Sequence, residues 1–317
     1  MVDLRGLKHM SNTAPSSGFS EKVRSMAATP LFLSGRLQVG YRAHNVAISR
    51  KLLIALSTMF FILFAILALV LPVPAISSSN GTCTPETIQT RIEWANMANA
   101  DKEFYLKAVN CLMQLPAQTG INGTVTSWWD ETRDAGNFMG SPLLDPHTGF
   151  GGNGTDPDGC VIDGPFANTT LHIGPGQTLK DHCLSRSVNE KNSTLGNETY
   201  VQQCHNKSSY RDFWEATGFT THGAGHSGIG GVMGEIDASP GHPLFYLHHG
   251  FVDRLWWKWQ SEDFGNRLYQ LGGPSTQGGY EELTLDYVMT TYGIRPNVTV
   301  RNVMDIQGGY LCYRYDY

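Results

Sequence analysis

Apolar positions fall along the chain in four different ways. Leu52 to Leu71 (LLIALSTMFFILFAILALVL) is unbroken, twenty residues without a charge. That length crosses a hydrocarbon core of about 30 Å as a helix, and soluble helices rarely stay apolar on every face for so long. Thr84 to Leu115 is periodic instead, with Ile88, Ile92 and Met97 on one side and Phe104, Tyr105, Ala108, Val109 and Leu112 carrying the pattern on. Thr84 as N-cap and Pro85 at the first helical position predict a helix opening there. Asn137 to Gly176 loses the period and is rich in Gly, Pro, Asn and Asp, with GFGGNGTDPDG at its centre, so it predicts loops and turns. Helical spacing returns over Tyr210 to Thr217 and strongly from Pro243 to Gln260, before an alternating aromatic tail, YLCYRYDY. The pattern predicts a mainly α-helical bundle with long irregular loops, preceded by one N-terminal transmembrane helix.

Charge divides the chain at the apolar run. Residues 1–51 carry eight Lys/Arg and two Asp/Glu, whereas residues 72–317 carry fifteen and twenty-six. Arg36, Arg42, Arg50 and Lys51 precede the run and no Lys or Arg follows it until Arg91, which by the positive-inside rule puts residues 1–51 in the cytoplasm as a basic tail. Residues 52–71 read as a signal anchor or, if Val73-Pro74-Ala75 is cut, as a signal peptide. Residues 72–82 form a linker, and 83–317 an extracytoplasmic domain, membrane-anchored or secreted. All six cysteines and eight Asn-X-Ser/Thr sequons (Asn80, Asn122, Asn153, Asn168, Asn192, Asn197, Asn206 and Asn297) lie after the run, as expected of a disulfide-bonded glycoprotein. The acidic body excludes a nucleic-acid partner, which requires a basic face.

Histidines carry the chemistry. His222-Gly-Ala-Gly-His226 is followed by Phe245-Tyr-Leu-His248-His249-Gly-Phe-Val-Asp253. On a helix His222 and His226 stand one turn apart on one side, so their imidazoles can grip one metal ion, with His249 as a third ligand from the next helix. Three imidazoles suit copper or zinc. Gly223 and Gly225 each cost about 1 kcal/mol in a helix relative to alanine, so a substrate or a close neighbour must need the space.

HGAGHSGIGG followed by SPGHPLFYLHHGFVDRLWWKWQ resembles the copper-B half of the tyrosinase family of type-3 copper proteins, in its fungal secreted form. Cys83-Thr-Pro with Arg91-Ile-Glu-Trp94 resembles the family's opening, WWDETRDAGNF, DPHTGFGGNGT and DGPFANTTLHIGPG its central loops, and Tyr313-Arg-Tyr315 its closing tyrosine motif. The resemblance implies copper ligands at His222, His226 and His249, an aromatic substrate gate at Phe245 and a supporting residue behind the ligands at Asp253. It also implies a structural role for His248, its side chain turned away from that of His249, and a cation–aromatic contact of Arg91 with Tyr313 and Tyr315. The implied activity is oxidation of small phenols to o-quinones with O2.

Two positions depart from the family pattern. His242 stands where the family has Asp. As the N-cap before Pro243 it does that work less well, at about 1 kcal/mol, and a ligand role is the other option. More severely, the family holds two coppers with three histidines each. The copper-A half should lie between Cys111 and Trp128, with a His-x8-His pair and a Trp-His-Arg triplet. Instead LMQLPAQTGINGTVT runs straight into SWWDETRDAGNF, and no histidine occurs between His44 and His147. Two helices' worth of chain is missing near Thr126–Ser127. His147, His172, His182 and His205 remain, and His182-Cys183 with Cys204-His205 suggests a zinc pair. In an oxidising compartment Cys183 and Cys204 read instead as disulfide members. The readings are a tyrosinase-type oxidase lacking its copper-A segment, a non-catalytic or single-copper exported glycoprotein, and a mononuclear copper enzyme. All expect at most one copper, and the bundle should expose apolar surface that the missing helices cover.

Overall fold

The computed structural model describes residues 83–114, 126–155, 157–276, 278–291 and 296–317. Residues 1–51, expected to form a cytoplasmic tail, the apolar run 52–71 and the expected linker 72–82 lie outside the described residues. Among those that are described, no helix is long and apolar enough to cross a membrane.

The elements that position the histidines are β1 (Gln89–Glu93), α1 (Asn99–Met113), β2 (Ser127–Trp128), α2 (Glu131–Asp134), α3 (Glu198–His205), α4 (Tyr210–Phe219), α5 (Thr221–Ile229), α6 (Phe245–Glu262) and β3 (Tyr313–Tyr315). Between them run short 3-10 turns and two-residue strand pairs, including Thr170–Leu171 with His182–Cys183. Residues 137–176 are largely turn and loop, as their composition predicts.

The start of the domain differs from the sequence reading. Thr84 opens one turn, its carbonyl accepting from the Thr87 and Ile88 amides, and Gln89–Glu93 then extends as a strand. The helix begins fifteen residues later, at Asn99. Tertiary pairing overrides local periodicity here. The strand β1 is the middle of a parallel sheet, with Ile92 opposite Ser127 on one side and Gln89 opposite Tyr313 on the other.

That sheet is clasped to α6. A disulfide joins Cys83 to Cys312. The Arg91 guanidinium lies 3.5 Å from the Tyr313 ring centroid and 5.8 Å from that of Tyr315. Asp253 of α6 accepts from the Tyr313 hydroxyl at 2.6 Å, from the Tyr315 hydroxyl and from Arg91 Nη1 at 3.4 Å. One turn earlier on α6, Gly250 lets the helix approach β2 closely. A Cβ at that position would stand 2.9 Å from the Cβ of Trp128. Phe251, Leu255 and Trp259 of the same helix are buried with Trp128 and Phe213 in one core cluster. A second cluster gathers Trp94, Trp129, Phe138, Phe150, Ile229 and Leu247. On α1, Phe104 is 75% and Leu112 55% exposed, although the sequence pattern reads both as apolar positions.

Because the Cys83–Cys312 link spans 229 residues, its loss removes a large constraint on the unfolded chain. Replacing both cysteines by serine is expected to lower the unfolding free energy by about 5 kcal/mol in the chain-entropy limit. Asp253→Asn weakens charged hydrogen bonds and is expected to cost about 2 kcal/mol. Urea midpoints measure both, and an unchanged midpoint in Asp253→Asn would mean the clasp does not hold α6.

Candidate metal centre

The helices α4 and α5 meet at a sharp bend, with Thr220 at φ −120° and ψ −95°. The bend aims α5 at α6. One turn apart on α5, His222 and His226 bring their Nε2 atoms to 3.1 Å. From α6, both His248 and His249 enter the same space. The His249 ring lies 5.3 Å from His222 and 5.4 Å from His226, and the His248 ring 5.4 Å and 4.7 Å from the same pair. One ring nitrogen from each of the four lies within 4.8 Å of the others.

His248 is therefore not turned away, as its place beside His249 suggested; the two rings are 5.0 Å apart. Gly225 is the reason it fits. A Cβ there would overlap the His248 imidazole, so the neighbour that the helix glycines announced is this ring. Gly223 meets nothing nearer than the Gly218 carbonyl oxygen, 3.4 Å from its notional Cβ.

Hydrogen bonds orient the rings. Met233 O, at 2.7 Å, takes the Nδ1–H of His226 and leaves its Nε2 as a lone pair. The Gly218 carbonyl holds His222. Glu131 Oε1 faces Nδ1 of His248, while His248 Nε2 and His249 Nε2 are buried with no hydrogen-bond partner. Burial, then the neighbouring imidazoles, push His222 down to about 3 and His249 to about 2. The same causes lower His248 well below the usual histidine range, and burial lowers His226. Four neutral imidazoles are the protonation state a metal requires. Phe245 packs its ring 4.1 Å from that of His249 and is itself buried.

Other site expectations resolve differently. Asp253 does not stand behind a ligand; its partners are Arg91, Tyr313 and Tyr315, and that trio makes the expected cation–aromatic contact. The residue behind a histidine is Glu131, fully buried in α2. Sequence reading passed it over because WWDETRD offers three acids and no mark of which turns inward.

A family model described as the common central domain of tyrosinase matches residues 105–262. The tyrosinase-like protein phomQ1 of Diaporthe leptostromiformis is 31% identical, over 75% of this chain and 82% of its own. The chain belongs to the tyrosinase family. Tyrosinase ustQ of Aspergillus flavus is 28% identical over 71% of this chain and 78% of its own. A solved polyphenol oxidase from Thermothelomyces thermophila shares the fold, with a TM-score of 0.66 at 21% identity, covering 83% of this chain and 95% of that one. The phomQ1 alignment runs over 319 positions yet draws on 75% of 317 residues, about 238, so about 80 positions of the relative face no residue here.

Tyrosinases bind copper, and the unpartnered Nε2 atoms of His248 and His249 fit such an ion. Among the described residues no second group of this kind occurs. His147 is exposed, His172 pairs with Asp181 at 2.6 Å, His182 Nε2 faces Ile173 O at 2.8 Å, and His205 lies 3.2 Å from Glu262. The zinc pair does not form. Cys183 is bonded to Cys160, and Cys204, expected in a disulfide, is a buried thiol 3.4 Å from the Thr220 hydroxyl. His242 is buried between two donors, the Leu244 amide at 3.1 Å from Nδ1 and Arg186 Nε–H at 3.0 Å from Nε2. A neutral ring has one acceptor nitrogen, so the two donors compete for it. The capping expected of His242 is thus on offer from its side chain, but α6 opens at Phe245, two residues beyond Pro243.

The metal-free protein should be acid-sensitive. With folded values near 3 and 2 for His222 and His249, against about 6.5 unfolded, their contribution is complete above pH 6.5. It falls by about 1.4 kcal/mol per unit per group as pH drops below that value. Between pH 7 and 5 these two account for about 4 kcal/mol, measurable as falling urea midpoints. His249→Gln should flatten the slope, and a slope unchanged by that substitution would contradict the assignment.

Proposed function

We propose that this chain carries the copper-B half of a tyrosinase-type phenol oxidase, with His222, His226 and His249 holding the ion. The observation that carries the reading is the convergence of neutral imidazoles from α5 and α6 in a chain of this family. Copper supplies the electron transfer and the affinity for O2. The chain's own residues orient and enclose: Met233 O and the Gly218 carbonyl fix the α5 rings, and Phe245 against His249 is the gate past which a phenol enters.

Oxidation of phenols to o-quinones belongs, in this reading, to a two-copper site. The sequence has no histidine from 45 to 146, and the unmatched positions in the phomQ1 alignment support a missing copper-A segment near Thr126–Ser127. The Cys83–Cys312 and Cys160–Cys183 disulfides support an oxidising, extracytoplasmic setting for residues 83–317, reached by way of residues 52–71.

The 317-residue chain is expected to bind at most one copper, to lose it in His249→Ala, and to form no o-quinone from catechol or tyrosine. A relative's copper-A segment placed between Thr126 and Ser127 is expected to raise uptake to two and to bring quinone formation, abolished again by His226→Ala. Elemental analysis and coupled O2 and quinone assays test this. Stoichiometric quinone from the unaltered chain would overturn it.

A further inference from the structure

We propose that N-linked glycans occupy Asn168, Asn206 and Asn297, and that the sequons at Asn153, Asn192 and Asn197 stay bare because the fold uses them to support α5. The inference rests on the reading that residues 83–317 lie outside the cytoplasm, and adds to it which sequons among the described residues carry sugar.

The sequence ranks none of these six above another, since each has the Asn-X-Ser/Thr pattern. Their surroundings in the fold separate them. Asn206, Lys207 and Ser208 are all exposed just past the end of α3. Asn297 is exposed ahead of the two-residue strand Val298–Thr299. Asn168 is exposed at φ 57°, a left-handed conformation that asparagine adopts more readily than most residues. Thr170 of the same sequon is exposed as well. Among the described residues no hydrogen bond engages the side chain of any of these three.

The other three are set into the wall on which α5 rests. Asn153 is half-buried, and its Oδ1 accepts from the Val188 amide at 3.1 Å. The residues on either side of Val188 pair with the end of α5, Ser187 N donating to Ile229 O at 3.1 Å and Asn189 N to Gly228 O at 2.8 Å. Asn192 is half-buried in the short helix Glu190–Ser193, beside the fully buried Ser193. Asn197 is half-buried and caps α3, its Oδ1 accepting from the Tyr200 amide at 3.3 Å. Immediately before it, Gly196 brings the backbone close to α5, where a Cβ would stand 3.4 Å from that of Ala224.

Transfer of the glycan joins Asn Nδ2 to the anomeric carbon of an oligosaccharide. That carbon's bond to a polyprenyl-diphosphate carrier breaks, the diphosphate leaves with the electron pair, and Nδ2 gives up one proton. The product is bulky and needs the surface. Where Nδ2 stands in solvent, the folded chain accepts it. At the wall it would displace chain that supports α5, the helix carrying His222 and His226, so the folded product is the one with these sites bare.

The test expresses the full 317-residue chain in a eukaryotic secretory host. The secreted protein is deglycosylated enzymatically in heavy-oxygen water, which marks each formerly glycosylated asparagine as labelled aspartate, and its peptides are read by mass spectrometry. The expected result is label at Asn168, Asn206 and Asn297 and none at Asn153, Asn192 and Asn197. Reading single peptides keeps Asn80 and Asn122, which lie outside the described residues, apart from these. Asn168→Gln, Asn206→Gln and Asn297→Gln are each expected to remove one glycan from the intact mass, and Asn197→Gln to remove none. Should a variant fail to be secreted, the wild-type site map still decides. Label at Asn153, Asn192 or Asn197, or its absence from any of the other three in a chain labelled elsewhere, would overturn the proposal while leaving the extracytoplasmic reading intact. A chain labelled at no sequon would overturn both.

Discussion

The approach of α5 to α6 at Gly225 is the constraint on which the centre depends. The His248 ring occupies the volume a side chain at residue 225 would fill. With any larger residue there the two helices would have to separate, and the His222–His226 pair would lose the imidazoles that face it. Glycine in a helix interior costs about 1 kcal/mol, so α5, with three glycines among nine residues, is a weak helix in isolation. Its packing stabilises it. Phe138 lies against Gly228, and Thr221, Ala224 and Ile229 are buried.

From that contact a continuous set of interactions reaches the sheet. His248 leads to Glu131, and Asp130 beside it accepts from the Tyr317 hydroxyl at 2.8 Å. Trp128 donates to Asp316 at 2.9 Å, and the Asp130 amide donates to Glu93 of β1. Asp253, one turn of α6 beyond His249, returns the connection to Arg91 and the two tyrosines. The imidazoles are thus set by groups at both ends of the domain, and a group as far as Arg91 bears on where α6 lies.

Much of this was legible in the sequence and some was not, for identifiable reasons. The α5 and α6 helices, the turn-rich region and the pairing of His222 with His226 follow from spacing within single segments. His222 and His226 are a four-residue pair, and such pairs meet by helix geometry alone. What spacing could not show was the side taken by His248. Adjacent helix residues diverge, which argued for turning it outward, but a ring can lean into a gap that a glycine on another helix leaves open. The strand at Gln89–Glu93 was hidden for a similar reason, since both its pairing partners lie far away in sequence. Glu131 was one acid among three, selected inward by packing alone. The tail and membrane run of the sequence reading fall outside the described residues.

The parallel pairing of β1 with β3 also orders events during synthesis. Gln89 and Arg91 find their partners at Tyr313 and Tyr315, and Cys83 finds its own at Cys312. A chain growing from its N-terminal end makes β1 long before anything exists to pair with that edge, so helices with local contacts assemble first and the sheet closes late. Until then an unpaired strand edge and a reactive thiol are both on offer to other chains. The centre between α5 and α6, built from residues close in sequence, escapes this delay; its last adjustment, through Arg91 and Asp253, does not.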